Sequence, residues 1–455
     1  MNKCSCGNCD LEVFENSNKC ILHCEKDDWV TKHDPSSDEF DLGTEVIYFW
    51  DEKKVKKFWK KFKKLIEKKT NLSEKESYFR FDGFIFPKMD QNTFKDYTFD
   101  CDLVFTQNCS FEGDIDFFQT IFNRQIYFND CKIKGKVSFG KSIFKDRFTF
   151  NNMKEIKEVF FKHTEFKEKV EFKKSHCEEV DFENTTFEDL ADFNKTCFNE
   201  INFYKTTFKD ISVFTETIFN KKVDFKHTTF EKLSIFRNSE FIDSINLKDA
   251  IFKEKANFLE IKTDVSNRET ARIIKDSFEQ QNNIIEANKY YALEMKEREK
   301  ELDFKKDFFE WLVFKIHGLS SNHSQDSTLA LFWIINLTFF YSYLNIQPND
   351  KILVFKIIFS CIAISVIACM TIKIPEENKE RRWLTTIPTT IVCYVFYGYL
   401  VETDWQLSEF SKNLNPFSIM RGDEPITLGT LIFKIIIAYL IYQLIISIRQ
   451  NTRRK

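Results

Sequence analysis

A phenylalanine recurs every eleven residues through the middle of the chain, at Phe117, Phe128, Phe139, Phe150, Phe161 and Phe172, and again at Phe208, Phe219, Phe230, Phe241 and Phe252. A second ladder, Phe214, Phe225, Phe236, Leu247 and Phe258, runs between the latter, so large apolar residues arrive in alternating steps of five and six. An α-helix, with about 3.6 residues per turn, cannot keep one face apolar on that step. The period predicts a stack of like supersecondary units, each too small to bury its apolar face alone. With 53 Phe against 10 Gly and 7 Pro, the composition suits a repetitive core better than a many-looped globule.

The local text around the ladder is constant. Val180-Asp181-Phe182, Ala191-Asp192-Phe193, Ile201-Asn202-Phe203, Val223-Asp224-Phe225 and Ala256-Asn257-Phe258 set a small or β-branched residue two before the large one, with Asp or Asn between. Alternation at period two points the outer pair inward and the Asp or Asn outward, as in a very short strand. The other ladder uses Thr185, Thr206, Thr217, Thr228 and Ser239, whose hydroxyls can bond neighbouring backbone.

These motifs resemble the pentapeptide-repeat family, with its Ala-(Asp/Asn)-(Leu/Phe)-x-x consensus, in a variant with Phe at the centre; the resemblance covers roughly residues 79 to 260. It implies a right-handed quadrilateral β-helix of some eight coils, about 22 residues each and ~4.8 Å apart, hence a rod of roughly 40 Å. Near Met153 to Phe161, Ile156 stands in for a Phe and Phe160 and Phe161 are doubled, which predicts a bulged or kinked coil. Some family members mimic DNA through a strongly acidic rod. Neighbours such as Lys167, Glu168, Lys169 and Glu171, and a net charge of -3, argue against that role and against nucleic-acid binding. The ladder residues are read as packed core, not as catalytic groups.

From Thr328 the composition changes, and four apolar stretches follow at about Leu329 to Leu344, Ile352 to Ile374, Leu384 to Val401 and Leu428 to Ile448. Their lengths are near what a bilayer requires. Lys379, Arg381 and Arg382 lie in one loop and Arg449, Arg453, Arg454 and Lys455 in the tail, whereas the longer opposite loop carries Glu402, Asp404, Asp423 and Glu424. The positive-inside rule then predicts a multi-pass inner-membrane protein with four crossings and both termini in the cytoplasm. Lys356 and Lys434 interrupt the apolar runs, and each either snorkels to the outer interface or stands beside a pore or water-filled cavity. The last two spans with their intervening loop, including Asn415, Pro416 and Phe417, are similar to the two-helix pore module of bacterial cation channels. The potassium-channel filter Thr-x-Gly-Tyr-Gly is absent, and Tyr397-Gly398-Tyr399 sits inside the third span.

Between repeats and membrane, Asn267 to Leu319 reads as two helices, with Asn267 as the first cap and an aromatic-rich stretch, Phe308 to Ile316, in the membrane interface. Asn267-Arg268-Glu269-Thr270-Ala271-Arg272 and Tyr290-Tyr291-Ala292-Leu293-Glu294-Met295 resemble a helical block that accompanies membrane-linked repeat proteins. On the other side, Asp51 to Lys69 holds ten Lys and an apolar stripe at Val55, Phe58, Trp59, Phe62, Leu65 and Ile66. Such a helix either caps the first coil or lies on anionic lipid.

Five of the 13 Cys crowd into Cys4, Cys6, Cys9, Cys20 and Cys24, beside His23. No secretory signal opens the chain, so these thiols are read as cytosolic metal ligands rather than disulfides. The spacing of a zinc knuckle favours Cys6, Cys9, Cys20 and Cys24 around one structural Zn2+, with Cys4 and His23 as alternates. The expected organisation is a cysteine-rich module at 1–28, a basic amphipathic helix or cap at 45–78, the β-helix at 79–262, a helical cap and interfacial helix at 267–322, four transmembrane helices at 328–448 and a basic tail at 449–455. No Ser-His-Asp grouping, phosphate loop or paired-carboxylate site stands out, so no enzyme is expected. The rod is expected to assemble or gate a homo-oligomeric, channel-like membrane domain, or to act as a membrane-anchored scaffold for a cytosolic protein.

Overall fold

The computed structural model describes residues 3–6, 9–33, 47–70, 78–154, 156–344, 382–401, 405–421 and 427–452, with scattered residues between 354 and 370. Two compact units emerge, Met1–Ile273 and Ile274–Lys455.

In the first unit, β1 (Val30–His33) pairs antiparallel with β2 (Ile47–Trp50), and α1 (Glu52–Thr70) follows. From β3 (Tyr78–Arg80) and β4 (Ile85–Phe86) the chain winds as short parallel strands to Ala256–Asn257. One sheet holds nine of these strands in parallel order, so the solenoid makes about eight turns. Its core is the phenylalanine ladder. Phe117, Phe139, Phe161, Phe182, Phe203 and Phe225 stack ring on ring at 4.8 to 5.4 Å, within 9° of parallel. Neighbouring columns meet edge to face, as Phe203 and Phe214 do at 5.7 Å and 83°. Both arrangements suit the ring quadrupole.

The small polar positions serve the backbone. Thr206 Oγ1 donates to the Phe182 carbonyl one coil back at 2.8 Å, Thr217 to Phe193 at 2.8 Å and Thr228 to Phe203 at 2.6 Å. The outward Asp and Asn accept the N–H two residues on: Glu183 N reaches Asp181 Oδ1 at 2.8 Å and Tyr204 N reaches Asn202 Oδ1 at 2.9 Å. That is the Asx turn, and it recurs along the stack at Asp192, Asp224 and Asn257. The scarcity of glycine has a matching cause. Gln119, Lys141, His163, Asn184 and Lys205, and likewise Asp130, Asn152, Lys174, Lys195 and Glu216, take left-handed backbone at φ 54 to 58°. There the N–H still reaches the next coil, as Lys141 N does to Lys162 O at 2.9 Å.

The kink expected near Met153 to Phe161 does not break the stack. Ile156 is buried and pairs in register with Cys177, and Phe161 lies 5.2 Å over Phe139. Outward placement of Phe160, opposite Asp181, absorbs the doubled residue.

Both ends are covered. Over the first coil, α1 buries Val55, Phe58, Trp59, Phe62 and Ile66; Phe58 meets Phe86 at 5.9 Å, Phe62 meets Phe81 at 5.4 Å, and Trp59 Nε1 donates to Lys88 O at 2.8 Å. At the last coil, Leu247 N donates to Thr270 Oγ1 at 2.9 Å and Asp249 N to Glu269 Oε1 at 3.0 Å. Asn267 caps the helix α2 (Arg268–Gln280), accepting from Thr270 N at 2.9 Å.

The second unit continues with α3 (Ile284–Glu301), α4 (Phe308–Ser321), α5 (Ser327–Leu344), α6 (Trp383–Val401), α7 (Ser408–Leu414) and α8 (Leu428–Thr452). Three helices, not two, thus fill 267 to 321. The break falls where Asn282 takes φ 59° and Asn283 caps α3 by accepting from Glu286 N. Core contacts join α5 to α8 through Ile334, Phe433, Ile437 and Leu440, and to α6 through Phe339, Tyr343, Cys393 and Tyr397. Among the described residues one helix, Leu428–Gln450, is long and apolar enough to cross a membrane, and Ser327–Tyr343 is apolar but shorter. Most of the second apolar stretch, Lys356 included, lies outside the described residues, as do Lys379 and Arg381.

Candidate functional site

The cysteine-rich module folds as tight turns. Cys9 N donates to Cys6 O at 3.0 Å, and His23 N and Cys24 N both reach Cys20 O, at 3.0 and 2.9 Å. These turns gather four donor atoms, from Cys4, Cys9, Cys20 and His23, all within 4.8 Å of one another. Cys9 Sγ lies 3.6 Å from Cys20 Sγ, and His23 Nδ1 lies 3.1 Å from Cys20 Sγ and 3.8 Å from Cys4 Sγ. A tetrahedron with metal–sulfur bonds of about 2.3 Å has edges of ~3.8 Å, so this group could hold a metal ion. The expected set changes by two members. Cys6 supplies the carbonyl of a turn, and Cys24 Sγ points away, to Ile21 O at 3.7 Å; Cys4 and His23 take their places.

The imidazole's other side identifies its tautomer. His23 Nε2 is 3.1 Å from the carbonyl of Asp82, which can only accept, so Nε2 carries the hydrogen and the Nδ1 lone pair faces the thiols. Burial keeps this imidazole below its ordinary pKa, hence neutral, as a ligand must be. Burial also pushes the Cys20 thiol up to about 12. At Cys4 burial acts the same way, but donors from the Cys6 and Cys20 backbone outweigh it and the thiol lies below its usual value.

One participant carried no sequence signal as a functional residue. Lys26 is 2 % exposed, and its Nζ donates to Cys24 O at 2.5 Å and Ile21 O at 3.1 Å, lies 3.4 Å from Cys24 Sγ, and sits over the Trp29 ring at 4.6 Å. In a chain with 67 Lys and Arg a lone lysine reads as solvated. A buried ammonium needs compensation, which two carbonyls, an aromatic face and the Cys24 sulfur provide.

Lys434 lies near the start of α8. It is 4 % exposed. Its three N–H donors go to the carbonyls of Lys412 at 2.7 Å, Asn413 at 2.8 Å and Asn415 at 2.9 Å, so it closes the carboxy end of α7 from α8. Asn415 Oδ1 accepts from Phe417 N at 3.0 Å, and Phe417 itself is exposed, next to Pro416. Lys434 thus gathers the loop that holds Asn415, Pro416 and Phe417.

Residues 161–207 and 203–251 match the family described as pentapeptide repeats, nine copies. Over these residues the rod is a pentapeptide-repeat β-helix. Within this pentapeptide-repeat segment lie the ladder residues from Phe161 to Leu247, and the cysteine module and helical unit fall outside the match. No curated protein and no solved structure matches the chain.

Proposed function

We propose that the helical unit resides in a lipid bilayer, multi-pass in a bacterial-type inner membrane with both termini cytoplasmic, and that it anchors the pentapeptide-repeat rod as a non-catalytic binding scaffold for a cytosolic protein. The observation that carries this reading is an inverted polarity. Leu384, Ile387, Ile391 and Val395 on α6, and Leu431, Ile432, Ile435 and Ile445 on α8, are exposed, while Asn336, Thr338, Ser342, Gln443, Ser447 and Lys434 are buried. In water, that apolar area would be unfavourable by about 25 cal/mol per Å²; hydrocarbon removes the penalty. On α4, Phe309 is 80 % exposed and Val313, Ile316 and Leu319 share its exposure, which suits an interfacial helix.

A second reading, a homo-oligomeric channel-like domain assembled or gated by the rod, is favoured by the polar interior of α5, where Asn413 Nδ2 donates to Ser342 Oγ at 3.0 Å and Cys393 Sγ lies 3.6 Å from Asn336 Oδ1. The cysteine module is a structural zinc site in either case. Alkaline carbonate extraction tests the anchor: the chain should stay with the membranes, and release into the supernatant would refute it. Planar bilayers separate the two readings, since a folded oligomer without conductance leaves the scaffold.

A further inference from the structure

The metal module and the β-helix share one hydrogen-bonded seam. His23, which faces the three thiols through Nδ1, bonds the carbonyl of Asp82 at 3.1 Å through Nε2. One residue earlier in the module, the Leu22 carbonyl accepts from Ile85 N in β4 at 3.0 Å. The imidazole also packs edge-on against Phe84 at 4.8 Å, over Gly83, whose φ of 71° turns the first coil beneath it. Asp82, Gly83 and Phe84 link β3 to β4, which begins at Ile85, so the seam runs along the first turn of the solenoid.

A solenoid's end coil has a free edge, and its N–H and C=O groups must find partners. Here the module supplies some of them. Yet a module of some twenty residues has too little apolar surface to fold by itself, and a metal is the usual substitute. We propose that Zn2+ held by Cys4, Cys9, Cys20 and His23 latches the first coil of the β-helix: the ion orders the module, and the His23 ring transmits that order to Asp82. The latch presupposes the zinc site proposed above. Three thiolates and one imidazole around Zn2+ carry one net negative charge, and the buried Lys26, bonded to the Ile21 and Cys24 carbonyls, matches it.

The test uses the full chain in detergent. Elemental analysis should find one zinc per chain, and Co2+ replacement should give the visible spectrum of tetrahedral thiolate coordination. Removing the metal with a chelator should speed amide exchange across 78–86 by about tenfold or more, while 251–257 at the far end stays unchanged. His23→Cys separates ligation from latching: it keeps four ligands and should keep the zinc, but it removes the bond to Asp82 and should still loosen 78–86. Absence of bound zinc and of the cobalt spectrum would overturn the site and the latch together. Zinc bound, with exchange across 78–86 unmoved by chelation or by His23→Cys, would overturn the latch alone.

Discussion

Thr206 and Phe203 sit three residues apart in one coil and contribute through different physics. Phe203 is fully buried between Phe182 and Phe225, so Phe203→Ala opens a cavity in a stacked column and should cost about 3–5 kcal/mol. Thr206→Val keeps the volume and loses one hydroxyl bond to Phe182 O; that carbonyl still accepts from Thr185 N, so the cost should be about 1 kcal/mol. Denaturant titration followed by β-sheet circular dichroism compares them, and an equal loss would mean that the hydroxyl ladder, not ring stacking, dominates. Lys26→Met tests charge matching at the cysteine cluster. It should lower zinc affinity by about 10–100-fold in competition with a chelating dye, because the ammonium facing the module's carbonyls and the Cys24 thiol is gone. The inward phenylalanines and threonines were legible from period alone. The role of Asp181 or Asn202 as an acceptor for the N–H two residues on was not, since alternation tells only that the side chain points out.

Helices α1 and α2 illustrate what periodicity settles and what it leaves open. The stripe Val55, Phe58, Trp59, Phe62 and Ile66 is apolar at helical spacing, which is equally compatible with lipid or protein; the rings of Phe81, Phe86 and Phe94 are what it meets. The hairpin of β1 and β2 left no readable trace, because its strands are four residues each and far apart in the chain. Between α7 and α8, Lys434 replaces a cap that sequence rules would seek locally. Lys434→Met should remove the ammonium from three carbonyls, two of which keep a bond from Ser418, and destabilise the loop by roughly 1–3 kcal/mol, seen as faster proteolysis or amide exchange across 408–421. Unchanged protection there would show that solvent or lipid headgroups satisfy those carbonyls equally well.

Acid should act on the two units in different pH windows. His323 is buried beside His317 and 3.6 Å from Glu299 Oε2; burial first, then the His317 charge, hold its pKa down to about 4 against an ordinary 6.5. A lowered folded pKa means protonation favours the unfolded form, so this contribution is present above 6.5 and is lost as pH falls toward 4, by at most ~3 kcal/mol. Glu171 in the β-helix lies at about 2, because Lys169 and Lys173 outweigh its burial, so its contribution is present above 4.5 and fades toward 2, worth roughly 1 kcal/mol after solvent screening. Thermal melts from pH 7 to 3 should therefore show the helical unit weakening first, and His323→Asn should flatten that first loss. Simultaneous weakening of both units would contradict the assignment.

The sequence by itself determined the solenoid, its phase, its approximate number of turns and the apolar character of the carboxy-terminal helices, because a period and a composition are one-dimensional properties that survive any folding of the chain. Tertiary structure alone decided which four of six ligands converge, which carbonyls Lys434 closes and what His23 touches on its second nitrogen. Those choices depend on distances between residues such as His23 and Asp82, 59 positions apart, which spacing along the chain cannot encode.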